Sequence, residues 1–380
     1  MRLPVFRGAA HDERVTARVG LWLGIAFALC FVTGLLSHFI QRGPAWFYWP
    51  SAPVNLYRVT QGVHVLSGIA AIPLLLAKLW SVYPKLFDRP LVRSLPHALE
   101  RGSILVLSGA AFFELATGIF NTAQNYVWGF SFPAAHYTVA WIAIGSILVH
   151  VAVKLPIIRR ALARLNGEPA EAPAGRAPTG GVPAGGVLSR RAFLRNTWLT
   201  AGVAVVATAG ATVPLLREVS PLSWRSDRGP QGLPVNRTAR AARVSRIDAG
   251  WRLSVVTPGG TRELSLAELE ALPQKTVALP IACVEGWSQS ASWSGVPVAD
   301  LLRLAGGSPG SRVRVSSLEE RGAYAASTLP GTHSADPLTL LALRLNGSPL
   351  ALDHGFPCRL IAPSRPGVLQ TKWVTRLEVL

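Results

Sequence analysis

The sequence predicts an all-α membrane bundle of four spanning helices plus a fifth anchor helix, followed by an α+β domain outside the membrane. Three observations carry this. Apolar runs at about 19–40, 62–83, 102–121 and 136–158 each approach the roughly 20 residues that a bilayer requires. Positive charge collects in alternate loops. Beyond residue 244 the pattern changes to short strand-like and helix-like stretches.

The loops orient the helices. Segments 1–18, 84–101 and 154–195 hold four, four and eight Lys/Arg, whereas 41–61 holds only Arg42 and Arg58 and 122–135 holds none. The positive-inside rule then puts the N-terminus in the cytoplasm of a multi-pass cell-membrane protein. "PAWFYWP" (44–50) and "NYVWGFSF" (125–132) supply aromatic belts on the outer face. A hydrophobic share of 49% with 15% charged residues suits this class. Nucleic acid, a common partner of chains with net charge +18, is not expected, because the positive residues flank apolar runs. Three cysteines at wide spacings form neither a zinc pattern nor a disulfide framework.

The expected domains are a helical membrane domain (1–165), a cytoplasmic linker (166–195), a fifth membrane helix (196–217) and an extracytoplasmic domain (218–380). Residues 166–187 are rich in Pro, Gly and Ala and cannot bury a core. "SRRAFL" (189–194) resembles the signal of the twin-arginine export route, with Arg190 and Arg191 as the pair. The run 197–216 is long enough to span and would carry everything after Arg217 to the outer side.

In the outer domain, "WRLSVVTPGGTRELSL" reads as two strands around a turn. Ser265 and Glu268 form a capping box that opens a helix. "TVALPIAC", "SRVRVSSL", "CRLIAP" and "KWVTRLEVL" are strand-like, and "VADLLRLAG" and "LTLLALRL" helix-like.

"IACVEGWSQSASWSGVPVADLLRLAG" (281–306) places one cysteine at the end of an apolar strand. Physically, such a thiolate binds a soft metal or acts as a nucleophile; an isolated cysteine there would be core. The stretch resembles the molybdopterin domain of the sulfite oxidase family. The resemblance continues through "LPVNRTA" (233–239), "ERGAYAASTLP" (320–330), "LRLNGSPLALDHGFPCRLIAPS" (343–364) and "GVLQTKWVTRLEV" (367–379). It implies that Cys283 is the thiolate ligand of molybdenum. It also implies that Asn236, His354 and Arg359 hold the pterin and its phosphate, and that Gln370, Thr371 and Lys372 close on that phosphate. Either Ser317 or Leu318 falls where relatives place a Thr hydroxyl. Tyr324 lines the substrate pocket on one reading and packs in the core on the other, and Cys358 is expected in the core. The sequence stops just after its last strand, without the immunoglobulin-like domain of the oxidases, so the compact periplasmic methionine-sulfoxide reductase is the expected likeness.

Histidines inside membranes are functional candidates by default. His136 and His150 lie fourteen residues apart on the fourth helix, on one face and about 21 Å apart along it. This resembles the di-haem b-type cytochrome subunits of respiratory dehydrogenases, and implies one haem b, or two. His64 pairs with His136, with His38 as its competitor; His11 and His97 are the inner partners open to His150. The alternative is a set of hydrogen-bonded interfacial histidines. Glu114, in the third helix, serves a proton or quinone site or bonds a neighbouring helix. The expected whole is a molybdenum-dependent oxidoreductase that moves an oxygen atom to or from a small extracytoplasmic substrate. Haem b, and a quinone, carry its electrons, and a sulfoxide-like reductase is favoured over a sulfite-type oxidase. A cofactor-free binding module is the rival of another class.

A cofactor inserted in the cytoplasm requires a domain that folds before export, which explains an export signal in mid-chain. Arg190→Lys with Arg191→Lys preserves charge but not guanidinium geometry. The four helices should insert normally while residues 218–380 stay inside, read by protease protection in intact cells.

Overall fold

The computed structural model describes residues 9–44, 46–86, 90, 93–166, 189–223, 229–320 and 322–380. The expected linker 166–187 lies almost wholly outside them. The chain forms two compact units, Met1–Val32 with His64–Val206, and Thr33–Val63 with Ala207–Leu380.

The helices are α1 (Glu13–Arg42), α2 (Leu56–Leu86), α3 (Leu95–Thr122), α4 (Phe132–Asn166) and α5 (Arg190–Ala209). The first four are long and apolar enough to cross a membrane. They start four to seven residues before the apolar windows and end one to eight residues after them, because polar residues continue a helix once it has nucleated. Within the first unit, Ala26, Phe27, Ala71, Leu74, Leu75 and Ala111 form a small-residue core. Large apolar side chains face outward instead, Leu105 at 73% exposure and Leu148 at 64%. An inside-out distribution of this kind requires an apolar solvent. Lys78 Nζ donates to Thr16 O at 2.9 Å, so the half-buried ammonium on α2 binds a carbonyl of α1.

The fifth helix differs from the expected span at 196–217. It begins at Arg190 and ends at Ala209, and it is not among the four helices apolar enough to cross. Its first turn carries the arginine pair, with Arg190 Nη2 2.9 Å from Asp12 Oδ2 and Trp198 edge-on to Trp22. At its end the Gly210 N–H donates to Ser220 Oγ, and Pro214 starts a 3₁₀ turn to Val219. The chain therefore folds back where continuous helix was expected, since proline cannot continue the ladder.

The rest of the second unit is the α+β domain. Its elements are β1 (Arg252–Thr257), β2 (Gly260–Ser265), α6 (Leu266–Ala271), β3 (Lys275–Ala282), β4 (Ser288–Pro297), α7 (Val298–Leu304), β5 (Val313–Ser317), β6 (Ala326–Leu329), α8 (Gly331–Ser334), β7 (Leu340–Leu345), β8 (Ser348–Pro349), β9 (Arg359–Ile361) and β10 (Val374–Val379). One sheet runs β2-β1-β10-β5-β6, with β1 and β10 parallel. The other runs β3-β4-β7-β8, with β9 also on β7. Ser265 and Glu268 form the reciprocal capping box at the start of α6.

"LTLLALRL", expected as helix, is β7. Leu341 and Leu343 enter the core shared with the first sheet and α7, while Leu340, Ala342 and Leu345 enter the core with β3 and β4. A strand buried on both faces shows no alternation, and a short apolar run cannot then be told from helix. β4, which was read only as the stretch around the cysteine, is the central strand between β3 and β7.

The β4–β7 pairing slips in register between Ser294 and Gly295. A Cβ on Gly295 would lie 2.1 Å from Leu341 O and 2.6 Å from Ala342 Cα. Gly295→Ala should destabilise the domain by about 3 kcal/mol, as over-packing does. The check is the urea midpoint for proteolysis of the α+β domain in the detergent-solubilised full chain.

Candidate functional site

Cys283 follows β3 and is fully buried. Its N–H donates to Trp287 O at 2.8 Å and its carbonyl accepts from Gly286 N at 3.0 Å, which closes a tight turn into β4. Three outside contacts pin that turn. Thr212 Oγ1 donates to Gly286 O at 2.7 Å, Ser288 N to Ala211 O at 2.8 Å, and Gln61 Nε2 to Val284 O at 3.3 Å. Gly367 brings the 366–369 loop against the thiol's backbone. A Cβ there would meet Ile281 Cγ2 at 2.9 Å and Cys283 Cα at 3.7 Å.

Two buried cations belong to the same site. Arg359 opens β9, lies 5.6 Å from the Trp293 ring centre, and reaches His354 O only at 3.5 Å. Its Nε has no partner. Burial pulls the guanidinium down to about 10, against an upward pull from Cys283. Lys372 Nζ donates to the carbonyls of Arg237 and Asp353, both at 2.8 Å. Burial holds it well below the usual lysine range, with Arg359 adding repulsion and Asp353 and Cys283 opposing both. A cation keeps its charge in such a place only when an anion answers it.

His354 donates from Nε2 to Pro230 O at 2.7 Å, so Nδ1 carries the lone pair, buried and without a partner. Burial lowers this ring to about 4, helped by Arg359. Gln370 Nε2 donates to Arg365 O at 3.1 Å while its Oε1 has no partner. Thr371 Oγ1 is spent on Ser327 Oγ at 2.7 Å. Ser317 Oγ donates to Lys372 O at 2.7 Å, whereas Leu318 packs among apolar residues. The hydroxyl of that pair is therefore Ser317, and it braces the 370–372 loop. Asn236 Oδ1 accepts from Arg237 N at 2.9 Å, close to its own backbone. A cavity of about 600 Å³, lined by Pro230, Arg240, Arg243 and Asp353 among others, opens beside His354. Cys358 is core, its thiol pushed up by burial.

Tyr324 is half-buried rather than packed in either core, and its hydroxyl donates to Gln41 Oε1 at 3.0 Å. Sequence reasoning missed Gln41, Tyr57 and Gln61 altogether, since no local pattern links them to Cys283. It also missed Glu319, 3.0 Å from Arg237 Nη2, and buried Arg365, which donates to Leu369 O and Thr328 O. Trp49, read as belt, donates to Ser364 O at 2.8 Å. An arginine in a Ser-Arg-Pro-Gly turn was a usable signal; the others were not.

Within the first unit, His64 and His136 face each other with ring centres 6.3 Å apart. His64 Nδ1 donates to Cys30 O at 2.9 Å and His136 Nδ1 to Thr117 Oγ1 at 2.9 Å. Nε2 is then the ring nitrogen without a hydrogen on both. Glu114 Oε2 lies 3.2 Å from His136 Nε2, and Glu114 Oε1 is buried without a partner. His150 has Lys78, Lys154 and Glu100 as its charged neighbours. His11 donates to Ser81 O and lies tilted against Trp80, and His97 meets Arg93 N and Arg101 Nε. His38 lies against Phe39. No cluster of three or more His, Cys, Asp or Glu suited to a metal occurs among the described residues.

Residues 241–380 match the family described as the oxidoreductase molybdopterin binding domain. Mitochondrial sulfite oxidase from Drosophila melanogaster is 31% identical over 148 residues, 32% of this chain and 26% of that one. A putative protein-methionine-sulfoxide reductase subunit, YedZ1, from Azospira oryzae is 35% identical over 116 residues, 30% of this chain and 43% of its own. The sulfane dehydrogenase SoxCD from Paracoccus pantotrophus, a solved structure, aligns with TM-score 0.32 and 22% identity over 35% of this chain and 39% of that one. The chain thus spans less than half the length of each of these proteins. The C-terminal region is a molybdopterin-binding oxidoreductase domain. It is similar in sequence to the sulfite oxidases.

The donor set fits the group. Molybdopterin offers a phosphate and a pterin to fixed cations and ring donors and leaves its metal needing a soft ligand. Here Arg359 Nε, His354 Nδ1 and Gln370 Oε1 are orphaned in a buried site that also holds a cysteine thiol.

Two buried neutral histidines make the domain acid-sensitive. His333 and His354 both titrate near 4, lowered first by burial, and unfolded histidines titrate near 6.5. Between those values the unfolded chain binds more protons, so stability is complete above pH 6.5 and lost as pH falls toward 4. From pH 7 to pH 5 each contributes a loss of about 2 kcal/mol. His333→Gln should flatten that slope by about half, measured as urea midpoints at the two pH values.

Proposed function

We propose that this chain is a membrane-bound, molybdopterin-dependent oxidoreductase that moves an oxygen atom to or from a small substrate outside the cell. The single observation that carries the reading is the buried meeting of Cys283 with Arg359 and Lys372, in a domain of this family. When bound, the cofactor supplies a metal that exchanges an oxygen atom with substrate in a two-electron step.

The chain's own residues do the rest. Cys283 gives the metal its protein thiolate from a turn too well pinned to shift. Arg359 and Lys372 take the phosphate charge, and each recovers the anion that its burial demands. His354 Nδ1 and Gln370 Oε1, buried and unpartnered, would hold the pterin, with Asn236 and Thr371 beside them. Ser317 acts indirectly by fixing Lys372. Tyr324 stands at the substrate side.

Electrons pass through the helices. His64 and His136 hold one haem b, supported by their facing rings and their Nδ1 acceptors. Glu114 beside His136 suits proton exchange with a quinone. A second haem would fall to His150, with His11 or His97 as its partner on the same side. The twin arginines, the extracytoplasmic C-terminal domain and the cytoplasmic N-terminus belong to the same reading.

The direction divides two readings. A relative carrying the name of a methionine-sulfoxide reductase subunit favours a sulfoxide-like reductase. The sulfite oxidase relatives favour an outward-facing oxidase passing electrons inward. Purified full-length chain should contain molybdenum and haem; a well-folded chain without molybdenum would leave only a binding module.

Cys283→Ala should reduce turnover to background, at least about a thousandfold, because the thiolate tunes the metal and orients its open position. Haem content should stay normal. The check is the haem absorbance. Substrate should no longer oxidise quinol-reduced haem in the reductase direction, nor reduce oxidised haem in the other.

A further inference from the structure

The segment Thr33–Val63 shares a compact unit with Ala207–Leu380 and carries a hydrogen-bonded chain that the proposed chemistry has not used. Gln61 Nε2 donates to Val284 O, which turns Gln61 Oε1 to accept from the Tyr57 hydroxyl at 3.3 Å. With that proton committed, the Ser37 hydroxyl, 3.1 Å away, donates to the Tyr57 oxygen. Ser37 in turn accepts from Gln41 Nε2, at 3.0 Å on its carbonyl and 3.3 Å on Oγ. Gln41 Oε1 is thereby presented to the Tyr324 hydroxyl, which donates at 3.0 Å.

The donors therefore run in one order, from Tyr324 through Gln41, Ser37, Tyr57 and Gln61 to Val284. Flipping either amide would set its oxygen against a backbone carbonyl, so both orientations follow from the network. Both ends lie at the site. Val284 is the residue after Cys283, and Tyr57 and Tyr324 are each close enough to interact with the Cys283 charge. Tyr57 is 1% exposed, so its hydroxyl could not go unpaired without cost.

We propose that Gln41 is a positioning residue for this site: it commits the Tyr324 proton, so that the phenol oxygen meets substrate as a hydrogen-bond acceptor. The site then favours sulfoxides or N-oxides carrying an N–H or O–H beside the reacting group over their methyl-capped analogues. This rests on the molybdenum-dependent reading above.

The test uses the full chain in detergent with 3-fluorotyrosine at position 324, read by fluorine NMR, and turnover of one donor-bearing sulfoxide and its capped analogue. Gln41→Leu should move the fluorine resonance and cut the preference for the donor-bearing compound about tenfold, the kinetic equivalent of one hydrogen bond. In a Tyr324→Phe background Gln41→Leu should change nothing further, because its effect passes through the lost hydroxyl. An unmoved resonance, or an effect that persists in the Tyr324→Phe background, would overturn the assignment. Wild-type chain with no molybdenum and no turnover would instead remove the functional reading, and the substrate role with it; the resonance shift separates the two failures.

Discussion

The α+β domain is organised around buried positive charge. Arg359, Lys372 and Arg365 are all nearly inaccessible, and none forms an ion pair with a carboxylate among the described residues. Taking an isolated cation out of water costs far more than a carbonyl hydrogen bond returns. Arg365 accommodates this with two carbonyl acceptors, and Lys372 with two more. Arg359 does not, keeping an indole face, one long contact and an unpartnered Nε. A bound anion would offset that cost, which is why the proposed cofactor phosphate suits this position. Placement of β9 beside β7, of the 370–372 loop behind Ser317, and of the cysteine turn under Gly367 all keep that charge where the anion belongs.

How much of this was legible follows the range of the interaction concerned. The capping box of α6, the β1–β2 hairpin and the four apolar helices are written within a few turns or strands, and local pattern reads them. The cysteine motif and the Gln370–Lys372 loop were legible for another reason, as a resemblance spread over separated stretches. β7 was not legible, because burial on both faces erases the alternation that marks a strand. The end of α5 was misread because hydropathy alone ignores what Gly210 and Pro214 do to a helix. Nor does any periodicity distinguish Ser317, whose hydroxyl braces a loop fifty-five residues on, from an exposed serine.

The site's least legible part comes from the far end of the sequence. Trp49 bonds Ser364, Val54 O accepts from Ser364 N, and Gln61 bonds Val284, over separations of more than two hundred residues. Each of these residues has a plausible local explanation. Trp49 fits an aromatic belt, Tyr57 a helix start, and Gln41 a polar helix end. Only the hydrogen-bond directions show them acting together, since each amide's orientation is dictated by a carbonyl on one side and read out by a hydroxyl on the other.

That arrangement also bears on where the chain divides. A boundary drawn by composition falls near Arg217, where apolar helix gives way to mixed sequence, yet the compact unit containing Cys283, Arg359 and Lys372 reclaims Thr33–Val63. Tyr57 and Gln61 are buried and Ser37 and Gln41 half-buried, and these four satisfy one another and the turn after Cys283. A buried neutral network is stable only when every member is satisfied, and losing one link leaves the others unpaired. The turn that carries the thiol is therefore held by residues whose own burial depends on it, which ties the shape of the cofactor site to the folding of a segment that precedes it by more than two hundred positions.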